Sequence, residues 1–254
     1  MKRTILELLL FDLRESFNSL IYVSYSWFYF AIQFFAYGAI ITQLVVSVNN
    51  YFVYYGAGLI VLSSFNIASW AGRRFVEFAH EGRLKYLLSL PISRRNLFIE
   101  QIIHGVIVNL VRMAPPLAVL LLVSRTFSLE NFFGTLSIIA ISAVGIMGLM
   151  VSLSAVAFKS FDIYSAIVAA LSALLIRFST ISYPIAAMTG SIKSISLSNP
   201  LTYISDLIRA FLGINTSILV NPVLSLVVLA VLAVVTLFLG TYFMTIYVEG
   251  VKSS

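Results

Sequence analysis

Long apolar stretches separated by short charged segments form the main pattern of this chain. From Ser16 to Gly72 the sequence has no Asp, Glu, Lys, Arg or His, and this stretch is long enough for two membrane spans of roughly 20 residues each and a turn. Further apolar stretches follow it. The pattern predicts an all-α protein in which residues 1–254 form one polytopic membrane domain. Its six transmembrane helices are predicted at 20–47, 51–71, 101–123, 131–158, 163–188 and 222–248.

Residues 1–19 show a different pattern, with apolar and charged positions at helical spacing. One face carries Ile5, Leu6, Leu9, Leu13 and Phe17. Glu7, Asp12 and Arg14 interrupt the apolar core that a cleavable signal peptide requires. We therefore expect residues 1–19 to form an amphipathic helix that lies in the membrane interface.

The composition agrees with a membrane protein, since 60% of the residues are apolar and only 10% are charged. A water-soluble domain has about 45–50% apolar and about 25% charged residues. A soluble enzyme, a disordered segment and a nucleic-acid-binding domain are therefore disfavoured, despite the net charge of +6. The chain has no cysteine, which excludes disulfides and thiolate metal sites.

The positions of Lys and Arg in the loops predict the orientation in the membrane. With six spans both termini lie on one side, and that side carries most of the basic loop residues. The other side carries Arg125, Lys193 and Arg209. The larger group consists of Lys2, Arg3, Arg14, Arg73, Arg74, Arg83, Lys85, Arg94, Arg95, Lys159 and Lys252. We therefore expect a multi-pass protein of the cell membrane with both termini in the cytoplasm.

Sequence motifs for catalysis and nucleotide binding are incomplete in this chain. His80 and Glu81 begin the His-Glu-x-x-His pattern of zinc proteases, but Leu84 occupies the position of the second His. The sequence has no Gly-x-Ser-x-Gly motif and no Gly-Lys dipeptide, so it lacks a nucleophile elbow and a phosphate-binding loop. We expect no catalytic residue and no metal site, and any ATP must be bound by a second polypeptide.

A charged segment between predicted spans 2 and 3 contains a short amphipathic helix. Gly82 and Pro91 delimit it, because glycine and proline interrupt helices. Its apolar face consists of Leu84, Leu87 and Leu88, and its other face of Arg83 and Tyr86. We expect residues 80–91 to form a cytoplasmic helix that either fits a groove on a partner protein or lies on lipid headgroups.

A second short helix is predicted at 199–213, before span 6. Asn199 suits the N-cap, Pro200 the first helical position and Gly213 the position after the helix. A helix of about 13 residues is too short to cross a bilayer, so we expect it to be re-entrant or interfacial on the outer side. Asp206 and Arg209 have the i, i+3 spacing of an ion pair.

These two segments, placed among six spans, resemble the permease subunit of type-2 ATP-binding-cassette (ABC) exporters. The family has a Glu-Gly element, a leucine-rich helix and a Pro-x-Ser-Arg motif between spans 2 and 3, and a Pro-Leu-x-Tyr motif with a later Arg before span 6. The matching residues are Glu81, Gly82, Leu84, Leu87, Leu88, Pro91, Ser93 and Arg94, followed by Pro200, Leu201, Tyr203 and Arg209. Arg83 and Lys85 depart from the usual Thr and Glu, which predicts a more acidic groove on the partner.

The resemblance implies a working unit of two permeases and two ABC ATPase subunits in a lipid bilayer. The second permease is a copy or a paralogue of this chain, and no nucleic-acid partner is expected. Residues 80–91 become the coupling helix and residues 1–19 the connecting helix. The implied ATPase contacts are Glu81, Gly82, Arg83, Leu84, Tyr86, Leu87, Leu88 and Pro91. The chain itself holds no cofactor, since ATP and Mg²⁺ bind to the ATPase, whose closure switches the pathway from inward-facing to outward-facing.

Polar residues within the predicted spans are candidates for the substrate pathway. Arg112 lies in the middle of span 3, where a charge costs roughly 2.5–3.5 kcal/mol. It precedes Pro115 and Pro116, so its side chain either pairs with carbonyl groups that the prolines free or lines the pathway. Asn66 and Ser172 are also candidates for the substrate pathway, because the resemblance implies that spans 2 and 5 flank it. The predicted set is Tyr22, Tyr29, Gln33, Asn66, Arg112 and Ser172.

Two other classes of function fit parts of the pattern. An ATP-independent channel or scaffold protein would have the same spans, and its segment 80–91 would lie on lipid without a partner. An intramembrane enzyme would need an acid, base or metal cluster within the spans, and the sequence shows none. Every Asp and Glu is predicted at a span end or in a loop, which also disfavours a proton- or sodium-driven carrier.

Overall fold

The computed structural model describes residues 2–18, 20–44, 50–90, 92–214 and 220–247. Every regular element in these ranges is a helix, so the predicted all-α fold is confirmed. The α-helices are α1 (Lys2–Asn18), α2 (Leu20–Ala31), α3 (Gly38–Leu44), α4 (Tyr51–His80), α5 (Arg83–Ser89), α6 (Arg94–Val123), α7 (Leu129–Val156), α8 (Phe161–Arg177), α9 (Gly190–Leu197), α10 (Pro200–Phe211) and α11 (Pro222–Tyr247). A π-helical segment (Ile32–Tyr37) joins α2 to α3, and a 3-10 turn (Ile185–Ala187) precedes α9.

Four of the described helices are long and apolar enough to cross a membrane, namely α4, α6, α7 and α11. They correspond to the spans predicted at 51–71, 101–123, 131–158 and 222–248. Both α4 and α6 have 30 residues, which corresponds to about 45 Å against a hydrocarbon core of about 30 Å. Both helices therefore extend beyond their predicted spans towards α5. Helix α4 continues as far as His80, and α6 begins at Arg94.

The span predicted at 20–47 is divided into α2, the π segment and α3, and residues 45–49 lie outside the described ranges. Phe34 of the π segment is fully buried, and its ring centre lies 4.3 Å from that of Phe52 in α4. A Cβ atom at Gly56 would lie 2.5 Å from the Phe34 ring, so α4 needs glycine there. The wider π turn thus accommodates Phe34 against α4. That these segments form one span stays a prediction.

Within the span predicted at 163–188, α8 ends at Arg177, and that residues 163–188 form one span stays a prediction. A residue distant in sequence contacts the end of α8. The side-chain amide of Asn199 donates hydrogen bonds to the carbonyl oxygens of Leu175 at 2.6 Å and Phe178 at 3.1 Å. Carbonyl groups at a helix C-terminus have no partner within the helix, so Asn199 stabilises the end of α8.

After α8 the chain runs against the N-terminal half of α4. The Tyr54 hydroxyl donates to the Thr180 carbonyl at 3.0 Å. At Gly58 of α4, a Cβ atom would lie 2.1 Å from the carbonyl oxygen of Ile181. Only glycine permits this approach, and the contact fixes the segment 178–184 next to α10.

The centre of the bundle is α7, which packs against α4, α6, α10 and α11. Helices α7 and α11 approach closely at Gly148, where a Cβ atom would lie 2.6 Å from Thr236 Oγ1. Residues 201–209 of α10 are all buried. Helix α10 is therefore packed against other helices of the bundle, and the re-entrant or interfacial placement of 199–213 on the outer side stays a prediction. At one end of the bundle, α1 packs along α6, and α5 packs against α4.

Candidate functional site

Helix α5 is attached to the bundle by two of the leucines that the resemblance assigns to an ATPase contact. Leu84 and Leu87 are 1% and 2% exposed and belong to the hydrophobic core of the chain. The chain's own helices therefore cover these two side chains, and their contact with an ATPase stays a prediction. Amphipathicity alone does not distinguish an apolar face that meets a partner from one that packs on its own protein.

The outer face of α5 carries the residues that remain accessible. Tyr86 is 64% exposed, and Lys85 is exposed beside it. Glu81 and Gly82 are also exposed, Leu88 is partly buried, and Pro91 lies outside the described residues. Gly82 has φ +76°, a backbone conformation that favours glycine, and it turns the chain sharply from α4 into α5.

Arg83 connects α5 to α1 through two ion pairs. Its guanidinium group lies 2.6 Å from Asp12 Oδ1 and 3.1 Å from Glu15 Oε2. Arg74 of α4 contacts the same two carboxylates, at 3.5 Å from Asp12 and 2.8 Å from Glu15. Two arginines from different elements therefore share two carboxylates of α1, and this arrangement fixes α1, α4 and α5 to one another.

The two carboxyl groups respond differently to this environment. Asp12 is completely buried, and this desolvation raises its pKa even though Arg74 and Arg83 act in the opposite direction. Glu15 is half exposed. Its smaller desolvation is outweighed by Arg83 and Arg74, so its pKa is lowered.

The network continues into α6. The Gln101 amide donates to Asp12 Oδ2 at 3.3 Å and to Glu100 Oε2 at 2.7 Å. His104 Nε2 lies 2.9 Å from Ser16 Oγ and 3.2 Å from an Arg74 nitrogen. The sequence analysis misses this cluster, because its members come from four elements and no local motif links them. We refer to Asp12, Glu15, Arg74, Arg83, Gln101 and His104 as the α1 network.

A cavity of about 580 Å³ lies between α2, α4 and α6. Its wall combines aromatic, apolar and a few polar side chains. They are Ile21, Tyr25, Ser26, Tyr29, Ser63, Asn66, Ile67, Trp70, Arg112 and Met113. The structure thus brings together three of the predicted pathway residues, Tyr29, Asn66 and Arg112.

Among the other predicted pathway residues, Gln33 and Ser172 do not line this cavity. Gln33 accepts a hydrogen bond from the Tyr55 hydroxyl at 3.5 Å. Ser172 donates to the carbonyl oxygen of Val168 within α8. Tyr22 belongs to α2, but its side chain is outside the described part of the chain.

The α4 side of the cavity follows a pattern that the sequence analysis overlooks. Ser63, Asn66, Ile67 and Trp70 have the spacing i, i+3, i+4 and i+7, which places four side chains on one face of a helix. The signal in the sequence that indicates this cavity wall is a helical stripe of polar and aromatic residues within an apolar span.

Arg112 is the charged residue of the cavity wall. It is 6% exposed, and its guanidinium carbon lies 5.5 Å from the centre of the Trp70 ring. Its Nε atom is buried without a hydrogen-bond partner. No Asp or Glu in the described ranges pairs with it.

The prolines next to Arg112 act on its backbone. Pro116 has no N–H group, so it leaves the carbonyl oxygen four residues earlier, that of Arg112, without its helical partner. The indole N–H of Trp27 in α2 donates to this oxygen at 3.1 Å. A carbonyl freed by the prolines is therefore satisfied by Trp27, and the Arg112 side chain is not needed for it.

A second buried arginine, Arg209 of α10, has the opposite environment. Arg209 is 0% exposed and pairs with Asp206 at 2.7 Å, so the predicted ion pair is confirmed. It also donates to the carbonyl oxygens of Tyr54 at 3.2 Å and Ile181 at 3.0 Å, and it lies 3.5 Å from the centre of the Tyr54 ring. We refer to Asp206, Arg209 and these partners as the α10 cluster.

The remaining residues of the predicted α10 motif support the same cluster. The hydroxyl group of Thr180 donates to Asp206 Oδ1 at 2.9 Å, and the Val220 N–H donates to Asp206 Oδ2 at 3.1 Å. Pro200 occupies the first helical position, and Tyr203 donates to the Leu197 carbonyl at 2.5 Å. Contacts within the chain therefore hold both Asp206 and Tyr203 in place.

Comparison with protein-family models gives a match that covers most of the chain. The family model described as ABC-2 type transporter matches residues 17–213. This range includes the cavity, α5 and the α10 cluster. No curated protein matches the sequence.

Proposed function

The chain belongs to the ABC-2 type transporter family, and on this premise we propose that it is the permease subunit of an ATP-driven exporter. Membership makes it a multi-pass membrane protein of an ABC transporter. Such permeases are generally non-catalytic and associate with an ABC ATPase. The direction of transport, the site of coupling and the pathway are the parts that we propose.

The observation that carries the proposal is the exposed outer face of α5. Tyr86 and Lys85 project from a helix whose inner face is fixed by Leu84 and Leu87, and Arg83 connects that helix to α1. A force applied to Tyr86 therefore reaches α4 and α1 without being absorbed by a flexible loop. We assign α5 as the coupling helix, α1 as the connecting helix and the α5 end of the bundle as cytoplasmic.

The charge on this face suits an acidic groove. Lys85 is exposed where Glu is usual in the family, whereas the charge of Arg83, which replaces Thr, is already paired with Asp12 and Glu15. Long-range attraction between a basic helix and an acidic groove favours correct docking. We propose that two ATPase subunits, which bind ATP and Mg²⁺, each receive one such helix.

The apolar surface of the chain supports an assembly in a bilayer with a second permease. Many large apolar side chains are exposed, with Ile21 at 81% and Phe238 at 73%. Lipid or a second copy must cover them, since a soluble monomer exposes only smaller apolar patches. We propose that the cavity between α2, α4 and α6 is part of a pathway that alternates between inward and outward access.

Replacement of Tyr86 by Ala tests the coupling role. Tyr86→Ala removes the largest exposed side chain of α5 without touching the core. We expect at least a tenfold loss of transport-coupled ATP hydrolysis in the reconstituted complex, with an unchanged midpoint of thermal denaturation. Tyr183→Ala is the matched control, because Tyr183 is similarly exposed at 57% but lies outside α5. Normal coupling in Tyr86→Ala would overturn the assignment.

The alternative of an ATP-independent channel or scaffold protein is tested by purification. The protein is extracted in mild detergent from its native membrane, and the proteins that elute with it are identified. The proposal predicts a stoichiometric ATPase that is lost or weakened in Tyr86→Ala. Elution of the chain alone, in cells that contain all native partners, would favour the channel or scaffold.

A further inference from the structure

Arg112 poses a problem of charge compensation. A buried guanidinium group keeps its charge, because arginine is not deprotonated in proteins. Removing a charge from water costs several kcal/mol unless another charge or hydrogen bonds compensate for it. The Nε atom of Arg112 has no such partner, although Arg209, in the same bundle, has a carboxylate and several carbonyl groups.

The cavity next to Arg112 has the dimensions and lining of a ligand site. Its volume of about 580 Å³ lies within the roughly 300–1,000 Å³ of small-molecule pockets. Ile21, Ile67 and Met113 supply apolar wall, and Tyr25 and Tyr29 add amphipathic rings. Ser63 and Asn66 place a hydroxyl and an amide group on the wall formed by α4. The lining therefore suits a molecule with one polar end and one apolar end.

The sign of the charge on that polar end follows from Trp70. Aromatic walls also attract cations through the face of the ring. The Trp70 ring, however, already has two guanidinium groups nearby, those of Arg112 at 5.5 Å and Arg74 at 5.9 Å. Arg74 is paired with Asp12 and Glu15, but Arg112 has no carboxylate partner among the described residues. The Arg112 guanidinium group would therefore repel a further cation and attract an anion.

We propose that this cavity binds an amphiphilic anion, with the negatively charged head on Arg112 and the hydrocarbon part along the apolar wall between α2 and α4. A phosphate or carboxylate head matches the planar donors of arginine. If the proposed transport function holds, the transported substrates are lipid-like anions. This statement about the substrate rests on the proposed function. The binding site itself does not depend on it.

Intrinsic fluorescence gives a direct assay, because the chain has two tryptophans and both contact Arg112. The full chain is purified in dodecyl maltoside and titrated with dodecyl phosphate. The detergent has the same hydrocarbon chain with an uncharged head group, so its excess controls for binding of the hydrocarbon chain alone. Parallel titrations use inorganic phosphate and dodecyltrimethylammonium. We expect a saturable change of emission with dodecyl phosphate, and with neither of the other two.

Variants connect the signal to Arg112. Arg112→Gln should weaken the apparent affinity for dodecyl phosphate at least about tenfold, and Arg112→Lys should lie between it and the original chain. Arg177→Gln is the matched control, because it removes an exposed arginine from the end of α8 and should leave the affinity unchanged. If Arg112→Gln does not fold, Arg112→Lys still tests the site through the loss of its planar donors.

Two results would overturn the proposal. One is that Arg112→Gln, or a folded Arg112→Lys, binds dodecyl phosphate with the same affinity as the original chain. The other is saturation by inorganic phosphate alone, which would show that a soluble anion occupies the site. No ATPase and no transport are needed in this assay, so a failure of the binding site and a failure of the proposed transport function give separate results.

Discussion

Arg209 and Arg112 are two arginines buried to nearly the same extent, at 0% and 6% exposure, yet their surroundings differ. Arg209 has a carboxylate at 2.7 Å, two carbonyl groups and an aromatic ring. Among the described residues, Arg112 has the Trp70 ring at 5.5 Å, no carboxylate partner, and an Nε atom without a hydrogen-bond partner. Burial alone therefore does not distinguish a structural arginine from one that awaits a ligand. The distinction lies in how many of its donors the protein itself satisfies.

The largest effect expected from this comparison is on Arg209. Arg209→Gln leaves Asp206 buried without its counter-charge, and removing one partner of a buried pair costs about 3–5 kcal/mol. We expect the midpoint of thermal denaturation in detergent to fall by roughly 10 °C. Arg177→Gln, at an exposed position, should change it by far less. An unchanged midpoint in Arg209→Gln would contradict the structural role of the α10 cluster.

A smaller effect is expected at Gly58, which lets the segment 178–184 approach Arg209. A Cβ atom at this position would lie 2.1 Å from the Ile181 carbonyl oxygen, so Gly58→Ala must displace the backbone that accepts from Arg209. Overpacking of this kind costs about 1–3 kcal/mol, which the same thermal assay measures.

Gly105→Ala is the matched control for Gly58→Ala. The added methyl group would meet only the flexible Met147 side chain at 2.8 Å, and alanine is the better helix former. We expect little loss of stability or a small gain. Equal losses in both variants would mean that the backbone contact at Ile181 has no special importance.

The smallest stability effect is expected at Arg112. Arg112→Gln removes a cation–π contact worth about 0.5–2 kcal/mol but also removes the cost of a buried charge without a counter-charge. We expect the free energy of unfolding to change by less than about 1 kcal/mol, while the affinity for an amphiphilic anion falls. A loss of stability as large as that of Arg209→Gln would show that Arg112 is structural as well.

Local patterns predict the parts of this fold that depend on neighbours in sequence. The four long apolar helices and the bounds of α10 follow from hydropathy and from Asn199, Pro200 and Gly213. The i, i+3 pair of Asp206 and Arg209 is local too, so it is correctly predicted. The burial of that pair is not, because it depends on the return of the chain after α8 and on Gly58.

Several features of the fold have no local signature because they arise from contacts between distant residues. The end of α8, for example, is stabilised by Asn199. The inner face of α5 is covered by the chain itself, which the amphipathic pattern of Leu84 and Leu87 cannot reveal. The α1 network joins residues of α1, α4, α5 and α6, which are far apart in sequence, so no local motif indicates it.

The π segment Ile32–Tyr37 has a consequence for the way the first apolar stretch can vary among related chains. Each α-helical residue turns the chain by about 100°, so deletion of one residue from this segment would rotate α2 relative to α3 by about that angle. Tyr25 and Tyr29 would then leave the cavity wall while α3 kept its place. The direction in which the side chains of α2 point thus depends on one additional residue in the segment that contains Phe34. A change of length in this segment would alter the wall of the cavity without replacing any residue that lines it.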